Sequence, residues 1–277
     1  MATRTSSSGR TTARAPRSTI TAVIDQWIFV AMAAFFVVTA LVGFVPDSIA
    51  KVATVRAGQR PPFPPVLHVH AVLMGAWLML VLTQSWLAAT GQTRWHRRLG
   101  VVGAALALGL VVAIPILLHT TYATIWEQVH NPPPTLPPAA YAEIVAAQGE
   151  VADVALGGAR TAIWFFQLIV WAVIARRTDP SLHKRLMILA TVALLPAAID
   201  RITFLPSTMP ASSLSPDLYP VLWIMPLFVW DLYRLRRIHR AYVIWGITGL
   251  VLSAPVYLLW NTPWWLATLP RIMGLSA

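Results

Sequence analysis

Apolar residues in this chain run for close to 20 positions at a time, and charged residues are confined mainly to the segments between those runs. The runs lie near Ile24–Val45, Pro65–Ala89, Leu99–Leu118, Gly157–Ala175, Leu186–Leu205, Leu218–Leu235 and Tyr242–Trp260. At a rise of about 1.5 Å per residue, such a run spans the roughly 30 Å of bilayer hydrocarbon. The pattern predicts an all-α fold, a polytopic membrane bundle of seven transmembrane helices. The sixth is the weakest, being short and interrupted by Pro226. Pro115 and Pro196 are expected to bend helices three and five, which membrane spans tolerate where neighbours satisfy the freed backbone groups.

Charge sets the expected orientation. Fifteen of the 21 Lys and Arg residues fall in four segments: the N-terminal tail and the turns joining helices two to three, four to five and six to seven. The connection from Thr120 to Gly157 has none and carries Glu127, Glu143, Glu150 and Asp153. The positive-inside rule then places the N-terminus inside and the C-terminus outside. Trp126, Trp260, Trp264 and Trp265 fall at the outer interface, where amphipathic rings belong. Three units follow: a disordered basic cytoplasmic tail over 1–23, a seven-helix domain over 24–262, and a short outside tail over 263–277. The tail's Ser, Thr and Arg content resembles a transit peptide, but the apolar run behind it is too long for a cleaved signal. Within the outside connection, Asn131–Pro138 holds five prolines and is expected to be extended. Ala139–Leu156 is expected as a short helix on the outer surface.

Composition agrees. Hydrophobic residues make up 57% of the chain and charged ones 11%, so lipid must cover much of its surface. The net charge of +11 sits in short clusters between apolar runs, a membrane pattern rather than a nucleic-acid one. With no cysteine, disulfides, thiolate metal sites and cysteine nucleophiles are excluded. Nucleotide-binding glycine motifs and hydrolase signatures are absent, as is a helix-seven lysine for a retinal Schiff base.

A repeat runs through the inner turns. Trp95-His96-Arg97-Arg98-Leu99, Leu182-His183-Lys184-Arg185-Leu186 and Ile238-His239-Arg240 each carry one histidine among basic residues. Trp77 and Trp164 each precede their histidine by 19 positions, and Trp223 precedes His239 by 16. Three related hairpins added to a first helix would produce this spacing. Solvation or lipid-phosphate contact is the plain reading of the inner histidines.

Candidate chemistry concentrates at the outer end. His68 and His70 begin helix two and His119 ends the third apolar run. Counted back from the inner turn, His70 is 21 residues from Gly91 and His119 is 20 from Leu99, which predicts a shared depth. His68 and His70 are about 200° apart around a helix, so one of them is expected to face His119. His70 heads a stripe through Met74, Trp77 and Gln84; helix four offers Arg160, Trp164, Gln167 and Trp171; helix five ends in Asp200-Arg201. Ionisable groups in a span normally face the bundle interior or a cavity. A polar, aromatic-lined outer pocket among helices two to five is therefore expected, with Asp200 and Arg201 mattering more than Asp231, which has Arg234 three residues on.

These inventories fit three chemistries. His70 and His119 would ligate haem b; His68, His70 and His119 would hold copper or zinc; Trp, Gln and Arg contacts would hold a quinone. The structural alternative is that Asp200 neutralises Arg160 or Arg201 and the tryptophans simply pack.

At His68-Val69-His70-Ala71, Trp77, Gln84, His96-Arg97-Arg98-Leu99-Gly100 and His183-Lys184-Arg185-Leu186-Met187, the chain resembles a family of bacterial multi-pass membrane proteins known as a domain of unknown function. The resemblance covers roughly residues 60–205. The His-Lys-Arg-Leu-Met element also resembles a smaller membrane family of haem–copper oxidase maturation. What the resemblance implies is haem or copper chemistry beside respiratory-chain membrane proteins in a bacterial inner membrane. The expectation is thus a redox-cofactor protein in electron transfer or oxidase assembly. A transporter or small-molecule-binding protein is the alternative, and an accessory subunit without a site is the third.

Overall fold

The computed structural model describes residues 19–275, so most of the N-terminal tail lies outside the described residues. Every regular element among them is helical: α1 (Thr19–Arg56), α2 (Pro65–Ala89), α3 (Thr93–His130), α4 (Pro138–Ala175), α5 (Pro180–Ala193), α6 (Pro196–Ile199), α7 (Leu214–Leu235), α8 (Arg240–Leu259) and α9 (Pro263–Ile272). Five of these, α1, α2, α3, α4 and α8, are long and apolar enough to cross a membrane. The protein is a helical membrane protein. Its lipid-facing residues are plain in α8, where Leu250 and Leu258 are 75% and 74% exposed.

Two of the seven apolar runs fall short of that standard for physical reasons. The fifth is divided: α5 ends at Ala193, and Pro196, unable to continue the ladder, opens the single turn of α6. The sixth becomes α7, which includes Pro220, Pro226, Asp217 and Asp231. Two other runs lengthen instead. The segment expected as a separate outer helix is the first half of α4, and α3 continues through Pro115 to His130. At 38 residues each, both are roughly 57 Å long and overshoot the hydrocarbon.

Their overhang builds a second small core. Tyr122, Ala152, Ala155, Trp265 and Leu269 pack together beyond the main bundle. The segment expected as a C-terminal tail supplies α9 to this cap; Thr262 caps it by accepting from the Trp265 N–H. Trp265 Nε1 donates to the Ala152 carbonyl at 2.9 Å, and the Asn261 N–H donates to Asp153 at 2.9 Å.

In the main bundle α5 is the centre, packed against α1, α2, α4, α7 and α8. Leu186, Leu189, Ala190, Thr191 and Val192 have no exposed surface. One device recurs around it. Trp77 of α2 donates to Thr191 of α5 at 3.3 Å, Trp164 of α4 to Thr248 of α8 at 3.0 Å, and Trp223 of α7 to Thr39 of α1 at 2.9 Å. Each threonine hydroxyl in turn donates to the carbonyl four residues earlier. One tryptophan–threonine bond thus joins the first predicted hairpin to the second, the second to the third, and the third to α1, and each indole N–H buried with its ring has a partner. Gly43 marks the closest approach: a Cβ there would overlap the Ala198 carbonyl, so α1 meets α6 backbone to backbone.

Candidate functional site

The tryptophans fix depth. Trp77 stands 5.1 Å from Phe165 of α4 and bonds Thr191 of α5, so these three positions share a level. Two turns outward, roughly 10 Å, are His70 on α2, the Gly158–Arg160 turn on α4, and Ala198 on α6. That level coincides with the break in the central helix. Arg160 is 6% exposed; its guanidinium donates to Asp217 of α7 and, at 2.9 Å, to Ser253 of α8. Four buried side-chain atoms lack a hydrogen-bond partner among the described residues: His70 Nδ1, Arg160 Nε, Asp217 Oδ2 and Gln84 Oε1. His70 and Arg160 share the outer level, and Asp217 is bound to Arg160 there. Burying polar groups without partners costs free energy, which marks this level as a place for a further polar group.

The remaining expected site residues disperse. Trp77 is 1% exposed and Trp164 7%, so the aromatic stripes fill the core rather than line a pocket. Gln84 sits at the inner end, donating to the His96 carbonyl at 3.0 Å, and Gln167 is half-buried. Asp200 is exposed and accepts from Ser207 at 2.6 Å. Arg201 pairs with Asp47 at 3.1 Å and lies over Phe44. Neither Asp200–Arg201 nor Asp200–Arg160 forms a pair; the partners are Asp47 and Asp217.

The three outer histidines also separate. Leu73 lies nearest Gly109 and Leu80 nearest Gly103 across the α2–α3 interface. That register sets His70 near residue 112, about seven residues inward of His119, or roughly 10 Å. His70 and His119 differ in depth because α3 starts at Thr93, not near Leu99, so the hairpin pivots at Gln92. His119 serves the outer cap, its Nε2–H donating to the Met273 carbonyl at 3.1 Å. His68 is exposed and its ring meets Phe63. Among the described residues no three His, Asp or Glu side chains form a metal-holding group.

The inner face is richer than its sequence suggests. Arg185, 5% exposed, reaches Asp231 through two hydrogen bonds of 2.7 and 2.5 Å, and Tyr242 donates to the same carboxylate at 2.6 Å. Asp25 binds Arg234 and Trp230. Asp231 therefore pairs with Arg185 across helices rather than with Arg234 along its own. Asp179 caps α5 and pairs with Arg240; the Leu182 N–H, and then Arg240, hold its carboxyl below the usual range. His239 caps α8, its Nδ1 accepting from the Ala241 N–H. Burial, then the charge of Arg185, pushes its imidazole below the ordinary histidine value.

His96 and His183 share one geometry. Each donates its Nδ1–H to a carbonyl of the preceding helix, His96 to Gln84 at 3.2 Å and His183 to Ala172 at 2.8 Å. Their ring centres are 6.4 Å apart with planes at 89°.

Comparison of the chain with protein-family models, with curated proteins and with solved structures gives no match.

Proposed function

We propose that this chain is a seven-span protein of a bacterial inner membrane, N-terminus inside and C-terminus outside, that binds a small polar solute at the outer level of its bundle. It is a transporter or solute-binding protein. Supporting seven crossings, α5 and α6 together cover Pro180–Ile199, 20 residues or about 30 Å, and α7 adds 22 residues. The orientation rests on the basic inner turns.

One observation carries the binding reading. Arg160 Nε and Asp217 Oδ2, within one ion pair between α4 and α7, are buried without partners among the described residues, and His70 Nδ1 on α2, counted to about the same depth, is a third such atom. Broken helices near ligand level are how transporters present polar groups in hydrocarbon. Arg160 Nε offers a donor and Asp217 Oδ2 an acceptor, while the two charges cancel. The fitting solute is small and carries both a donor and an acceptor, as an amide, hydroxy acid or amino acid does. The redox-cofactor reading at the outer histidines has less support, since His119 spends its Nε2 on the cap.

The test is thermal melting of detergent-purified protein against a panel of such solutes. A binding solute raises Tm in wild type, and the rise disappears in His70→Leu and in the doubly substituted Arg160→Met/Asp217→Leu chain, which removes both charges together. Equal shifts in wild type and both variants, or no shift from any solute, would return the chain to the accessory-subunit reading.

A further inference from the structure

We propose that His96 and His183 form a copper-binding pair at the inner face. The pair lies at the opposite end of the bundle from the solute level and does not depend on it.

Both tautomers are set by the backbone. A carbonyl oxygen can only accept, so each Nδ1 facing one must carry the ring proton. Each Nε2 is then the basic nitrogen, on the far side of the ring, and has no hydrogen-bond partner among the described residues. An Nδ1–H held by a carbonyl is the outer contact that orients metal-binding imidazoles and raises their basicity. Two such imidazoles, one from the α2–α3 hairpin and one from the α4–α5 hairpin, stand with ring centres 6.4 Å apart.

That separation suits a shared ion. An imidazole bound through Nε2 at about 2.0–2.1 Å puts its ring centre roughly 3.2 Å from the metal. Two rings in line are then about 6.4 Å apart, and a bent pair roughly 1 Å closer. The observed spacing equals that in-line value. Imidazole nitrogens bind copper most tightly among first-row divalent ions. Water or another exogenous ligand completes the coordination, because no carboxylate joins the pair in a metal-holding group among the described residues. The neighbouring Arg176 charge limits affinity for the divalent ion. His239 is not a ligand: its Nδ1 caps α8 and its Nε2 meets Ser181 at 3.3 Å.

The test separates the metal from the hairpin bonds. Asparagine places its amide where Nδ1 stood and keeps a donor for the carbonyl, but offers nothing at the Nε2 position. Copper(II) titrated into the purified protein, read by electron paramagnetic resonance, should show one nitrogen-ligated equivalent that is lost in His96→Asn and His183→Asn. Affinity should fall tenfold or more in either, while His119→Asn keeps that equivalent. Copper bound only at His68 and His70 would survive both asparagine changes and overturn the pair, as would wild type that binds none. Should the asparagine chains not be recovered, acylation of wild-type histidines by diethylpyrocarbonate decides the matter. Copper should shield His96 and His183 from the reagent; modification unchanged by copper overturns the proposal.

Discussion

Asp231 and Asp200 show how far single residues can be judged before their partners are known. Both are acids near the end of an apolar run, and Asp200, beside Arg201, looks the more consequential. Burial and partners rank them the other way: Asp231 is 4% exposed and receives Arg185 twice, whereas Asp200 is exposed. Asp231→Asn leaves a buried guanidinium uncompensated, a loss on the order of 3–5 kcal/mol. Asp200→Asn should change stability by less than about 1 kcal/mol. Melting curves in one detergent check the ranking; equal losses would refute it. Arg160 was legible as a buried charge, but its partner was not. Asp217 is 57 positions away, and nothing in a linear pattern joins α4 to the first turn of α7. A pH effect belongs at this scale too. The His239 imidazole titrates below its ordinary value of 6.5 in the folded chain, so folding favours the neutral ring. Its contribution is intact above pH 6.5 and shrinks as pH falls from there toward the folded-state value. Protonating Nδ1 also removes the acceptor that caps α8. Wild type should lose melting temperature between pH 7 and 5.5, and His239→Asn, which keeps a capping oxygen, should lose less. Parallel pH profiles would count against the mechanism.

Hydropathy placed the helices well where lipid sets their limits and poorly where protein does. α2 matches its apolar run, Pro65–Ala89, because a proline and an inner turn bound it on either side. α3 and α4 run on past the hydrocarbon because their polar outer halves pack on each other and on α9, a contact between distant segments that local pattern cannot reveal. The break in α5 was visible as Pro196, yet its importance comes from Gly43, whose missing side chain admits the α6 backbone. The expectation is a matched pair of substitutions. Gly43→Ala forces a methyl into a carbonyl that cannot yield, so folded protein should fall severalfold, a cost of about 3 kcal/mol or more. Gly75→Ala, on a face with nothing within 4 Å, should be neutral or gain up to about 1 kcal/mol from helix propensity. Recovery of monodisperse protein after detergent extraction reads both. Similar yields would mean that α1 and α6 are not held backbone to backbone.

At the scale of the molecule, the bundle is three hairpins and a leading helix, joined in sequence by tryptophan–threonine bonds and tied at the inner face by Asp25–Arg234, Arg185–Asp231 and Asp179–Arg240. The spacing of Trp77 and Trp164 from their histidines foreshadowed the repeat, and His96 and His183 keep it in detail by donating 12 and 11 residues back. His239 departs from it because α8 begins there and needs a cap. All these ion pairs gather at the end bearing the basic turns, and the acid-rich overhang of α3 and α4 forms the other end. The proposed orientation has the basic end in the cytoplasm, because moving Arg-rich turns across the membrane during insertion is the costlier route. The chain has no cysteine, so a single introduced one reports its own side without background. Thr135→Cys, in the proline-rich connection, should react with a membrane-impermeant maleimide in intact cells. Arg237→Cys, in the turn before α8, should react only after the membrane is opened. Labelling in the opposite order would invert the protein, placing the solute level toward the cytoplasm and the histidine pair outside.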